Sequence, residues 1–242
     1  MNNDVNPIKT MFDELQIQNP DVNIMHDGIL DEQKYKNAKI KILWILKQEY
    51  YDSGALENTY VDRIKKCVSD EKVASSSTWR RMSYVSYGLL SGKREFNTLP
   101  DANICADNFL ETAVIEVNKE LGNSNSPDQV ILDGFNRYKD LIILQLGTYK
   151  PDVIIVCLPN SLRSIVDFLY NKCHGSDFIN GPKNIYIEGA DVGIGKDHKP
   201  LFLWAYHPQA TKGCNSEGIS DDSYTMSLLQ AYDNASQNNI LA

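Results

Sequence analysis

The stretch VIIVCLPNSLRSIVDFLYNKC (Val153–Cys173) decides the fold class. Its first six residues are apolar without alternation, the pattern of a strand covered on both faces. Pro159, Asn160 and Ser161 break the run. Leu162, Ile165, Val166, Leu169, Tyr170 and Cys173 then recur at the spacing of one helix face. A strand buried on both sides that feeds into an amphipathic helix is the building unit of an α/β protein with a parallel sheet.

Working outward, Lys39–Gln48 repeats the signal, with Ile42, Leu43, Trp44, Ile45 and Leu46 apolar on both faces. Phe109–Asn118 is a second strand, rich in β-branched residues at Thr112, Val114, Ile115 and Val117. Leu201–Tyr206 is a fourth core strand, and Asn184–Glu188 a short extra one. Helices are expected from Pro7, with Asn6 as its cap, over Trp79–Leu90, from Pro127 to a stop at Gly147, and in the tail from Ser220. The expected architecture is a single domain over residues 1–242, a three-layer α/β/α sandwich around a central, mostly parallel four-stranded sheet.

Composition bounds the partners. The 242 residues are 42% hydrophobic and 23% charged, as in a folded globular chain. No apolar run approaches the roughly 20 residues of a membrane-spanning helix. The start, Met1 to Pro7, has neither the basic flank nor the apolar core of a secretory signal. Five cysteines without a Cys-x-x-Cys pair fit neither a disulfide framework nor common zinc or iron–sulfur spacings, so a reducing cytoplasm is the expected compartment. The net charge of -8 disfavours loose adhesion to phosphate backbones. Residues 60–95 nevertheless carry +4, with Arg80, Arg81, Lys93 and Arg94 as candidate phosphate contacts; a merely solvated helix surface is the plainer reading of such a run.

In parallel sheets ligands bind beyond the carboxyl ends of the strands. Those ends carry Lys47-Gln48-Glu49-Tyr50-Tyr51-Asp52, Asn118-Lys119, Pro159-Asn160-Ser161 and His207-Pro208-Gln209-Ala210-Thr211. Other motifs fail. Gly189–Asp197 has a P-loop's glycines at the wrong spacing and Asp197 where magnesium needs Ser or Thr, and it reads as a connector. There is no G-x-S-x-G elbow and no H-E-x-x-H helix. His26, His174 and His198 have no spaced ligand partners and receive no role.

The first and last of those ends together resemble uracil-DNA glycosylases. Ile45–Tyr51 corresponds to that superfamily's loop carrying a water-activating or charge-stabilising acid, and Trp204–Ala210 to its His-Pro loop; Asn118 ends the strand between them. The resemblance spreads over residues 39–235. It implies catalytic roles for Glu49 and His207, substrate binding by Gln48, Tyr51 and Asn118, and no metal or redox cofactor. The chain departs from the pattern at Tyr50 for proline, Asp52 for histidine and Gln209 for serine, and Lys212 alone is a poor wedge for DNA. A shift of one or two residues would put Glu116 in the place of Asn118.

The chemistry needs few groups. Breaking an N-glycosidic bond builds positive charge on the sugar and negative charge on the base, so an acid belongs near the sugar and a donor at the base oxygen. Glu49 and His207 are of those types. Asparagine can pair with a pyrimidine edge, and Trp79, Tyr84 or Tyr87 can stack on a base flipped out of DNA. Taken singly, each residue also has a structural account. The expectation is a nucleobase-excising glycosylase whose partner is DNA or a nucleobase or nucleoside; the alternatives are a catalytically silent nucleic-acid or nucleotide binder and a small-molecule nucleoside enzyme.

Overall fold

The computed structural model describes residues 6–50, 59–122, 126–174, 187–191, 200–211 and 218–240. In chain order its elements are α1 Pro7–Gln18, β1 Gly28–Ile29, α2 Glu32–Asn37, β2 Ile42–Tyr50, α3 Tyr60–Ser69, α4 Ser77–Ser91, α5 Ala102–Phe109, β3 Ala113–Gly122, α6 Asp128–Tyr149, β4 Val153–Val156, α7 Arg163–His174, β5 Ile187–Asp191, β6 Leu201–Ala205 and α8 Asp221–Ile240. Local chemistry explains several of these boundaries. The Asn6 side chain accepts from the Ile8 and Lys9 N–H groups with Pro7 in the first turn, so α1 starts where its free donors are satisfied. Thr59 and Asp62 cap each other's backbone at the start of α3.

The strands form one sheet in the order β1-β3-β2-β4-β6-β5. β3, β2, β4 and β6 pair in parallel, whereas β1 and β5 add antiparallel edges. The four parallel strands coincide with the four core strands read from sequence, but among the described residues the sheet has six strands, not four. The β1 edge was illegible because it has only two residues, whereas the short strand read at Asn184–Glu188 overlaps β5 at Ile187 and Glu188, its first three residues lying outside the described residues. Gly189 and Ala190 therefore belong to a strand rather than to a connector. Two more boundaries differ. Phe109 closes α5 instead of opening β3, and α6 runs through Gly147 to Tyr149, ending where Lys150 turns left-handed at φ 47°.

Helices cover both faces. Leu43, Ile45, Ile115, Ile154 and Phe202 point into a layer shared with α1, α6 and α7; Trp44, Leu46, Val114, Ile155 and Leu203 point into one shared with α3, α4 and α8. Each fully buried side chain of this kind contributes about 1.5–3 kcal/mol, and the alternation of the two sets along β2 fixes its register against β3 and β4. From β2 the chain moves to β3 on one side and later to β4 on the other. A sheet that reverses in this way opens a crevice at the carboxyl end of its first parallel strand, where ligands bind in doubly wound folds.

Candidate functional site

A cleft of about 590 Å³ lies at that place. The end of β2 supplies Lys47, Gln48 and Glu49, the loop after β6 supplies His207 and Gln209, and β3 supplies Glu116. α3 contributes Tyr60 and Arg63, and the start of α4 contributes Trp79.

Glu49 is fixed by Arg63, whose Nη1 donates to its Oε1 at 2.6 Å, and its side chain is 13% exposed. Burial raises its pKa, while the guanidinium and the Tyr60 hydroxyl oppose that rise. His207 accepts the Gln209 N–H on Nδ1 at 3.1 Å. That bond leaves the proton of the neutral ring on Nε2, making Nε2–H a donor. Burial, with the Lys47 charge second, lowers its pKa to about 4, so the ring is neutral near pH 7. Gln48 donates from Nε2 to the Glu120 carbonyl at 2.8 Å, and its Oε1 is buried without a hydrogen-bond partner among the described residues.

Asn118 does not join them. It is 1% exposed, accepts the Glu120 N–H at 3.2 Å, and lies so tightly against Gly134 of α6 that a Cβ there would come within 2.2 Å of it. The expected convergence of Glu49, Asn118 and His207 is thus corrected: two share the cleft, and the third packs into the α6 layer. Glu116, two residues earlier, lines the cleft instead. Its backbone N–H donates to Asp27 at 2.7 Å, and its Oε2 is buried without a hydrogen-bond partner among the described residues. Burial pushes its pKa well above the carboxylate range, with the nearby charges of Glu49 and Asp27 adding to the rise. Lys119 is likewise absorbed in packing: its Nζ, fully buried, bonds to both Asp27 oxygens at 2.7 and 3.0 Å and to Gln145 Oε1 at 2.9 Å.

The expected phosphate face is also corrected. Arg80 is engaged by Asp221 at 2.7 Å and by the Ala74 carbonyl. Arg81 is buried; it donates to Asp221 and to the carbonyls of Pro208, Ala210 and Ile219. Arg94 forms a two-oxygen pair with Asp233, and Lys93 donates to the Thr98 carbonyl. A charge count along residues 60–95 misses these partners because the two aspartates lie in α8, some 140 residues away in the chain. Arg81 gains a different role: it ties the loop that carries His207 to α4 and to the start of α8.

Tyr51 lies outside the described residues. Of the three candidate stacking aromatics, Trp79 lines the cleft; Tyr84 meets Phe96 edge-on, and Tyr87 lies beneath Lys93. Arg63 enters the sequence reading only as one charge of the 60–95 segment and Tyr60 not at all, although Thr59-Tyr60-Val61-Asp62 is a legible capping box that announces the helix presenting them. Among the described residues no group of three or more His, Cys, Asp or Glu side chains is placed to hold a metal ion, and no helix is long and apolar enough to cross a membrane. No family model matches the chain, and neither a curated protein nor a solved structure matches it.

Proposed function

We propose that the cleft hydrolyses an N-glycosidic bond and releases a nucleobase, on a fold akin to that of the uracil-DNA glycosylases. The observation that carries this reading is the meeting of Glu49 and His207 in one crevice at the carboxyl ends of parallel strands. Glu49, held by Arg63, is placed to stabilise a sugar cation or take a proton from water, and neutral His207 offers Nε2–H to the oxygen of the departing base. Trp79 gives the base a stacking face. A reducing compartment suits the four described cysteines, all of them unpaired.

A second reading, that the substrate is a nucleoside rather than a nucleic acid, is favoured by the internal pairing of Arg80, Arg81 and Arg94. One set of assays tests both. Base release is measured from single-stranded oligonucleotides carrying uracil or hypoxanthine and from the matching nucleosides. Glu49→Gln is expected to abolish most release, because an amide neither accepts a proton nor balances a cation. His207→Ala is expected to slow it about 100-fold. If the unmodified protein releases no base from either form, the hydrolytic reading fails and a binding-only protein takes its place.

A further inference from the structure

The cleft holds a second carboxyl beside the expected one. Glu49 and Glu116 both line it, together with Tyr60 and Trp79. Two carboxyls lining one cleft do not both ionise without cost, so one of them keeps a proton. Arg63 decides which. Its guanidinium sits on Glu49, whereas Glu116 faces Glu49, Tyr60, Asp27 and Cys157, and Lys119, a cation that acts on it, is already bonded to Asp27. The charge therefore resides on Glu49 and the proton on Glu116, whose buried Oε2 has no hydrogen-bond partner among the described residues. Two carboxyls whose surroundings set them apart in this way mark a base and an acid.

Building on the N-glycosidic reading, we infer that Glu116 is a general acid which protonates the leaving base, and that the substrate class is the purine N-glycosides. Uracil departs as a delocalised anion and asks only for a hydrogen bond, such as that of His207. A base with an unprotonated ring nitrogen departs far more readily once that nitrogen is protonated. In the step, the bond from the sugar carbon to the base nitrogen breaks with its electron pair going to the base, and the Glu116 proton passes to the purine ring. Water adds to the sugar carbon and gives its proton to Glu49. Glu116 is then ionised and Glu49 protonated; once the products leave, Glu49 gives its proton to solvent water and Glu116 takes one back. The net change is one water consumed, one base and one sugar hydroxyl formed.

The test compares a substrate carrying hypoxanthine with one carrying 5-fluorouracil, which leaves as a stable anion, in whichever form, nucleoside or oligonucleotide, the unmodified protein cleaves. Glu116→Gln is expected to slow hypoxanthine release about 100-fold while changing 5-fluorouracil release less than about threefold; Glu49→Gln is expected to abolish both. Infrared difference spectra of the unmodified protein against Glu116→Gln at neutral pH are expected to contain the C=O stretch of a protonated carboxyl. Equal slowing of both substrates in Glu116→Gln, or no such band, overturns the assignment and leaves the hydrolytic reading standing. Cleavage of neither substrate by the unmodified protein overturns both.

Discussion

Arg81 offers the sharpest test of how the site is built, because the sequence suggests a phosphate contact where the structure has an internal clamp. The residue is 6% exposed. Its guanidinium donates to the Pro208, Ala210 and Ile219 carbonyls at 2.8, 2.7 and 2.6 Å, and its Nε to Asp221 Oδ1 at 2.8 Å. Methionine would fill much of the same volume without a donor, leaving three carbonyls and one carboxylate oxygen short of a partner. Removing one member of a buried ion pair costs about 3–5 kcal/mol. Asp221 keeps Arg80 at 2.7 Å, which places Arg81→Met at the lower end, about 3 kcal/mol. Against a total of about 5–15 kcal/mol for an ordinary domain, that is a large share. Urea unfolding should show an earlier midpoint with an unchanged slope. Arg81→Lys should recover only part of the loss, since an ammonium cannot span four acceptors as a planar fork does. If instead Arg81→Met keeps the parental midpoint but lowers the salt slope of DNA binding by about one, the residue faces phosphate and the clamp is wrong.

Two further outcomes follow from the site's geometry. His207 has its pKa lowered from 6.5 to about 4, so the unfolded chain takes up a proton first as pH falls; its contribution to stability is intact above pH 6.5 and declines towards pH 4, by at most about 3 kcal/mol. His207→Gln should flatten that part of the stability–pH curve, and an unaltered curve would mean the ring is solvated. Gly134→Ala should destabilise by about 1–3 kcal/mol, because its Cβ would sit 2.2 Å from Asn118 Cγ; combining it with Asn118→Ala should recover part of the loss in a double-mutant cycle, and strict additivity would show that the two do not touch.

How far the sequence reached depended on whether a feature was local. The four parallel strands were legible because burial on both faces leaves unbroken apolar runs, and Val153–Leu158 followed by its helix is such a run with its partner attached. The strand ends were legible as polar residues after apolar ones, which is why Gln48, Glu49 and His207 were found. What the sequence hid was long-range. The partners of Arg80, Arg81 and Arg94 lie on α8, and a count of charge along one segment cannot see a neutralising residue from another.

Asn118 and Glu116 illustrate the remaining difficulty. Taking the end of the strand where the apolar residues stop puts Asn118 on the rim, but β3 continues to Gly122, its backbone still paired with β2. Within it Val114 and Glu116 share one face while Ala113, Ile115 and Val117 occupy the other. The alternation does not extend to Asn118, which meets α6. A signal was nevertheless present: in Ala113-Val114-Ile115-Glu116-Val117 an acid interrupts the apolar half of the strand. Placing a carboxyl there costs several kcal/mol if it is charged and less if it keeps a proton. A chain that meant only to pack would have put valine at that position; the glutamate, opposite Leu46 in register and open to the cleft, is intelligible where a held proton has a use.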